Sequence, residues 1–179
     1  MKKVIVIADF FAEHVLGGGE LNNEELINMF RKEHEVHKIQ SHLVTENYLN
    51  SNKNSFFIVS NFVNLSFKCR ESLTKLEYVI YEHDHKYLKT PPSEIVNYRF
   101  YKEAKAVFCQ SKFHKEIIQK NIDIKNVINL GGNLWSIDSL ELMRKLNKEE
   151  KEKAYSVLNS KIEHKNTSET VKFCNLKKL

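Results

Sequence analysis

The sequence predicts an α/β protein with a Rossmann-like parallel sheet and helices on both faces of that sheet. Three observations support this prediction. Short apolar runs rich in β-branched residues recur along the chain, amphipathic helical patterns separate them, and a glycine-rich turn follows the first run. Strands buried on both faces read as continuous apolar runs, and parallel strands need crossover helices. At 179 residues the chain is long enough for one ordinary domain plus a fragment.

Four strands are predicted in the first half of the chain, each from a short apolar run. They cover residues 4–8, 35–40, 56–60 and 78–81. Asn22 or Asn23 is expected to cap the first helix, whose apolar residues recur at helical spacing, and Ser66 is expected to cap a second. Residues 43–49 are ambiguous and fit a helical turn.

Two more strands are predicted in the second half, at residues 106–109 and 127–130. Helices are expected from Ser93 through Tyr101, after the cap residue Ser111, from Ser136 to about Lys153, and after Thr167. Residues 154–158 read as the first strand of a further domain. We therefore expect a Rossmann-like N-terminal domain at residues 1–150 and the incomplete start of a second at residues 151–179.

Composition narrows the functional classes. The formal net charge is +5, from 28 Lys and Arg against 23 Asp and Glu, without a dense basic cluster. A solvated surface explains this balance, and attraction to phosphates or an anionic membrane is the functional alternative. Three widely spaced cysteines argue against a disulfide framework or zinc knuckle. No apolar run reaches membrane-spanning length, so the sequence predicts a cytoplasmic protein.

Polar segments follow the predicted strands and should share one crevice, because ligands of parallel sheets bind at the carboxyl ends of the strands. These segments are residues 9–20, 60–61, 82–86, 110–111 and 131–136. Three of the five glycines lie together at residues 17–19, between the first strand and the first helix. A strand, a glycine turn and a helix start can present backbone N–H groups to a phosphate. The turn lacks the residue spacing of the dinucleotide-binding motif and of the P-loop. A flexible linker is therefore as good an interpretation of the three glycines as a phosphate-binding turn.

Several motifs in this order carry a resemblance to a known family. Gly17-Gly18-Gly19-Glu20 follows the first strand, His83-Asp84 the fourth, Gln110-Ser111 the fifth, and Gly132-Asn133 the sixth. The set resembles the N-terminal domain of GT-B glycosyltransferases, specifically the large retaining family four, over about residues 3–175.

The resemblance implies roles for matched positions only. Gly18 and Gly19 would offer backbone N–H groups to the diphosphate of a nucleotide-sugar donor. His83 would lie beside the donor sugar and the acceptor hydroxyl, with Asp84 as the second catalytic residue, and Asp84 and Ser111 would shape the acceptor side. The substrate-binding residues implied are Gly18, Gly19, Glu20, Ser111 and Asn133.

The residues leave other readings open for these side chains. His83 and His85 could share one face and, with Glu20 or His114, hold a divalent ion. Simple solvation of these side chains is a further reading, and Glu20 could merely favour the helix dipole. GT-B enzymes do not usually need a metal, so we expect no metal and no cofactor apart from the nucleotide-sugar substrate.

The sequence departs from the family pattern in its second domain, which is almost entirely missing. We therefore expect the chain alone to be inactive, and to work as part of a transferase, either as a homodimer or with a separate C-terminal-domain chain. Its acceptor could be a glycan, lipid, protein or modified DNA. Alternatives are a non-catalytic binding module of the same fold and an unrelated Rossmann-like nucleotide-binding protein.

Overall fold

A computed structural model of the chain describes residues 3–84, 98–150, 157 and 165–177. Within these residues six strands form a single all-parallel sheet in the order β2-β1-β3-β4-β5-β6. The strands are β1 (Lys3–Ala8), β2 (Glu35–Gln40), β3 (Phe56–Ser60), β4 (Tyr78–Tyr81), β5 (Val107–Cys109) and β6 (Val127–Asn129). The predicted α/β class and parallel sheet are confirmed.

Seven α-helices lie in the described part of the chain. They are α1 (Gly18–Arg31), α2 (Glu46–Ser51), α3 (Phe67–Leu73), α4 (Tyr98–Lys102), α5 (Lys112–Ile122), α6 (Ile137–Asn147) and α7 (Thr167–Lys177). A 3₁₀ turn at Ser41–Leu43 precedes α2, so the ambiguous stretch does form helical turns. The predicted caps of α3 and α5 are confirmed: Ser66 Oγ accepts from the Cys69 amide at 3.2 Å, and Ser111 Oγ from the His114 amide at 3.1 Å.

The predicted cap of α1 is wrong. The helix begins at Gly18 after an extended N-cap residue, Gly17, which lies five residues before Asn22. Asn22 and Asn23 therefore lie in the second turn, where both are buried. Glycine is an acceptable N-cap because its backbone takes the extended conformation there at little cost. The two asparagine side chains are consequently available for contacts outside the helix.

Helices cover both faces of the sheet, but unequally. Alternate residues of a strand point to opposite faces. Ile5, Val59, Ile80 and Val107 pack with residues of α2, α3, α4 and α5 in one apolar cluster. On the other face the strand residues, among them Val6, Ile58 and Tyr81, pack only with α1 among the described helices. We call these the four-helix face and the α1 face.

Residues 1–136 form one compact unit, which contains the whole sheet, and residues 137–179 form a second. In the second unit α6 and α7 have no buried residues. The predicted strand at 154–158 lies outside the described residues except for Val157, which has no regular structure. A second Rossmann-like domain starting at residue 151 stays a prediction. Among the described residues no helix is both long and apolar enough to cross a membrane.

Candidate functional site at the carboxyl edge of the sheet

The parallel sheet brings five strand ends to one edge, as the sequence predicted. The glycine turn follows β1, Asn61 follows β3, His83 follows β4, Gln110 follows β5 and Leu134 follows β6. The contacts described below join all of these segments to α1. A site assembled this way needs no long loop of its own, because the sheet fixes the start of each segment.

The three adjacent glycines have three different environments. A side chain at Gly17 would collide with the carboxylate of Glu20, which folds back over the start of α1. At Gly18 an added Cβ would meet nothing within 4 Å, so this residue faces open space. At Gly19 an added Cβ would lie 3.5 Å from both Asn61 Nδ2 and His83 Cγ. Gly17 therefore makes room for Glu20, Gly18 faces open space, and Gly19 faces the segments after β3 and β4 across a space that a Cβ would fill.

His83 lies between three elements. Gln110 Nε2 is 2.8 Å from its Nδ1, and Asn23 Oδ1 is 2.8 Å from its Nε2. The Tyr81 ring lies against it with centroids 4.4 Å apart. The imidazole is thus held by α1, β4 and the segment after β5, and Gly19 faces its Cγ–Cδ2 edge across a space that a Cβ would fill. The sequence predicts a role for His83 but does not predict its bonds to Asn23 and Gln110.

Asn22 makes a second connection from the same turn of α1. Its Oδ1 accepts from the Leu134 backbone amide at 2.7 Å and from the Tyr81 hydroxyl at 3.3 Å. Burial raises the pKa of the Tyr81 phenol, and a hydrogen bond with Gln110 opposes that rise. The adjacent residues Asn22 and Asn23 thus tie α1 to β4, to the segment after β4 and to the segment after β6.

Two buried polar atoms on the α1 face have no hydrogen-bond partner among the described residues. They are Nδ2 of Asn23 and Oγ of Ser60, and both residues are 0% exposed. A buried polar group without a partner costs about 1–3 kcal/mol. The candidate site therefore lies on a face with two buried polar atoms whose hydrogen-bond requirement the described residues do not meet.

Asp9, directly after β1, is a structural carboxylate that sequence analysis did not identify. Its Oδ2 accepts from the Val63 amide at 2.9 Å, and its Oδ1 accepts from the Asn64 amide at 3.0 Å and from the Ser41 hydroxyl. Asp9 is 7% exposed. Its contacts fasten the segments after β2 and β3 to the central strand. The sequence feature that could have predicted this role is the position of Asp9 directly after a predicted buried strand.

An ion-pair cluster fixes the loop before the glycine turn. Lys38 of β2 contacts Glu13 Oε2 at 2.8 Å and Glu24 Oε2 of α1 at 2.9 Å, and its ammonium lies 5.1 Å from the Phe11 ring centroid. Burial opposes the charged form of Lys38, but the two carboxylates outweigh it and raise its pKa. The hydrogen bond from Lys38 lowers the pKa of Glu13. These contacts join the loop between β1 and α1 to both β2 and α1.

The other predicted site residues lie at the same edge of the sheet, and their predicted roles in catalysis and substrate binding stay predictions. Asp84 is exposed directly after His83, and Asn133 is exposed directly before Leu134. Ser111 is exposed, and its Oγ is the cap of α5. In the described part of the chain no three His, Cys, Asp or Glu residues converge as a metal site. His85, the other histidine of the considered metal set, lies outside the described residues.

Below this polar edge the α1 face carries an apolar groove of about 320 Å³. The groove runs between α1 and the strands β3, β4 and β5. Its walls include Leu26, Phe30, Ile58, Tyr81, Phe108 and Leu134. Tyr81 belongs to both regions, since its ring lines the groove while its hydroxyl bonds to Asn22.

No protein-family model matches this chain, and no curated protein matches it. Among solved structures the chain is similar to an alpha-glucosyltransferase in complex with UDP and a 13-mer DNA containing a HMU base, with a TM-score of 0.50 and 14% identity. The likeness covers 71% of this chain but only 41% of that protein, so this chain spans less than half of its neighbour's length. At this identity the likeness concerns architecture: the chain has the Rossmann-like α/β fold of a glycosyltransferase domain.

Proposed function

We propose that this chain provides the acceptor-side half of a nucleotide-sugar-dependent glycosyltransferase of the GT-B type, similar to family four. One observation carries the proposal. The glycine turn, His83 with Gln110, and the segment after β6 are joined through α1 at one carboxyl edge. The fold shared with a UDP-bound glucosyltransferase supports this reading of the edge.

The donor diphosphate is proposed to bind at the start of α1. The first N–H groups of a helix have no intrahelical partner, and the helix dipole favours negative charge there. Gly18 adds the open approach that a ligand needs, since nothing lies within 4 Å of where its Cβ would be. The folded-back Glu20 carboxylate shares this helix start and would have to move or remain as a neighbour of the ligand.

The proposed reaction moves a sugar from diphosphate to a hydroxyl. The bond from the anomeric carbon to the diphosphate oxygen breaks, a bond to the acceptor oxygen forms, and the proton of the acceptor hydroxyl passes to the departing diphosphate. Negative charge develops on the departing diphosphate, where preorganised backbone donors stabilise it most. The family resemblance further implies retention of anomeric configuration, with Asp84 and Ser111 on the acceptor side and Asn133 among the substrate-binding residues.

For the acceptor, a hydroxyl on modified DNA is our first candidate. The structural neighbour was captured with DNA that contains a HMU base. The formal net charge of +5 on this chain suits a polyanion. Glycan, lipid and protein acceptors are the alternatives that a transfer assay would separate.

The rest of the donor site is proposed to lie outside residues 1–136, in a longer polypeptide, in a second copy or in a separate chain. This follows from the length comparison, because the chain spans 41% of its neighbour. Weak nucleotide binding and no turnover are therefore expected of this chain alone.

Titration of the chain with UDP and UDP-glucose by calorimetry or NMR tests the proposal. Gly18→Asp places a carboxylate at the helix start and should weaken UDP binding about tenfold or more, whereas Gly18→Ala fits the open space and should change it little. Equal affinities in both variants would contradict the proposed diphosphate site. Tight binding of a nicotinamide dinucleotide instead would replace it with an unrelated Rossmann-like function.

A transfer assay with labelled UDP-glucose then tests the reaction. HMU-containing DNA is the acceptor, unmodified DNA of the same sequence is the control, and the chain is assayed alone and with a candidate C-terminal domain. Label on the modified DNA supports a transferase. UDP binding without transfer to any acceptor class, even with that domain, would favour the non-catalytic binding module.

A further inference from the structure

We infer that His83 is a positioning residue: Asn23 and Gln110 hold its imidazole as the neutral tautomer with the proton on Nε2, and through Asn23 the ring in turn holds α1, whose first turn contains Gly18 and Gly19. The functional part of this inference rests on the proposed function, because it concerns the proposed diphosphate site. The assignment of the tautomer does not rest on the proposed function, because it follows from the hydrogen bonds alone.

The hydrogen bonds determine where the proton lies. A carboxamide nitrogen can only donate and a carboxamide oxygen can only accept. Gln110 Nε2 therefore donates to Nδ1 of His83, which must carry no proton. Asn23 Oδ1 accepts from Nε2, which must carry one. Only the neutral ring with the proton on Nε2 satisfies both bonds at 2.8 Å.

Contacts around the ring leave little room for proton transfer. Gly19 faces the Cγ–Cδ2 edge across a space that a Cβ would fill, and the Tyr81 ring lies against the imidazole. Gln110 and Asn23 are bonded to the two ring nitrogen atoms. To act as a general base His83 would first have to release Gln110 from Nδ1. In the geometry present, the ring instead fixes the distance between α1 and the strand ends through its bond with Asn23.

The tautomer can be read directly by NMR. In the ¹⁵N-labelled chain at about pH 8, above the ordinary imidazole pKa, two-bond correlations should show Nε2 of His83 protonated and Nδ1 unprotonated. His83→Phe identifies the signals by removing them. Gln110→Glu replaces the donor with an acceptor, so the ring should carry a proton on Nδ1, either as imidazolium or as the opposite tautomer.

Gln119→Glu is the matched control, because Gln119 bonds to the Ile124 carbonyl instead and should leave the His83 pattern unchanged. A parent protein with the proton on Nδ1 would overturn the inference. So would an unchanged pattern in Gln110→Glu.

A second measurement separates positioning from proton transfer. Asn23→Ala and Gln110→Ala should shift the Gly18 and Gly19 amide signals and weaken UDP binding several-fold. Asn28→Ala, on the exposed side of α1, should do neither. If His83 acts only as a base toward the acceptor, UDP affinity and the glycine signals stay unchanged in every variant, and the positioning role is wrong.

The two proposals can fail separately. A parent chain that binds no UDP, even with a candidate C-terminal domain added, would remove the proposed function while the tautomer and the glycine signals still test the role of His83. Dispersed amide spectra and thermal unfolding of each variant show whether the protein remains folded.

Discussion

The two faces of the sheet differ in what covers them. The four-helix face packs an apolar core against α2, α3, α4 and α5, with side chains such as Leu73 and Ile80 at 0% exposure. The α1 face has one helix among the described elements, an apolar groove, and buried amides and a hydroxyl at its carboxyl end. Both faces bury apolar side chains, and the α1 face adds, at its carboxyl end, the hydrogen bonds that orient Asn22, Asn23 and His83.

This difference suggests a division between stability and function. Apolar burial stabilises without directional requirements, whereas each buried polar atom must find a partner or cost free energy. Asn23 and Ser60 each keep a buried polar atom without a partner in the described part of the chain. Proteins depart from well-satisfied packing mainly at functional sites. The α1 face is therefore where substitutions should alter binding more than stability.

The largest expected effect comes from matched leucines on the two faces. Leu73→Ala in α3 removes a fully buried side chain and should lower the free energy of unfolding by about 2–5 kcal/mol. Leu26→Ala in α1 only widens an existing groove, so its cost should stay near 1 kcal/mol. Urea unfolding of both variants measures this. Equal losses would show that the α1 face contributes as much to stability as the other.

Asp9→Asn should have the next largest effect. The amide keeps one acceptor oxygen and turns its nitrogen toward a hydrogen-bond donor, so at least one buried bond is lost. We expect a loss of about 2–3 kcal/mol in unfolding free energy. Asp84→Asn, at an exposed position on the same edge, is the control and should change stability far less. Similar losses in both variants would argue against a structural role specific to Asp9.

Two buried serines should respond in opposite directions. Ser41→Ala removes the hydroxyl that donates to Asp9 and should cost about 1–2 kcal/mol. Ser60→Ala removes a buried hydroxyl that has no partner among the described residues, so stability should be unchanged or rise slightly. Thermal unfolding of the pair checks this. A clear loss in Ser60→Ala would reveal a partner, such as a bound water, on the α1 face.

The smallest effect concerns Glu13 and pH. Its pKa is lowered in the folded protein by Lys38, so the pair stabilises the fold above the unfolded pKa of about 4.5 and loses that contribution as the pH falls through the folded value. Because the pair is partly exposed, the effect should be about 0.2–1 kcal/mol. Glu13→Gln should therefore be less stable than the parent at about pH 7 and nearly equal to it at about pH 3. Glu33→Gln is the exposed control; the same pH pattern there would remove Lys38 as the cause.

Local patterns were sufficient to predict the fold. The run Phe56–Ser60 is apolar because β3 is buried, and its predicted bounds match the structure. Ser66 and Ser111 were correctly identified as caps, since a serine before a helical pattern bonds within its own turn. These features depend on neighbours a few residues apart, which a sequence displays directly.

The site was less predictable because its contacts are distant in sequence. Asn23 and His83 are 60 residues apart, and no local pattern indicates that they meet. The asparagines were instead assigned to a cap, a common role for that residue at a helix start. Gly19 was expected to serve a ligand, and the structure adds that it faces His83 across a space that a Cβ would fill. The expected roles of Asp84, Ser111 and Asn133 stay predictions.

The strand order has a consequence for folding during synthesis. The central strand β1 pairs with β2 and β3, and all three strands lie within the first sixty residues. A nascent chain can therefore assemble three adjacent strands and α1 before β4 has been made. Each later strand then adds at one growing edge, in sequence order from β4 to β6. Until β4 arrives, the apolar edge strand β3 is exposed, and that interval is when a ribosome-associated chaperone would matter most.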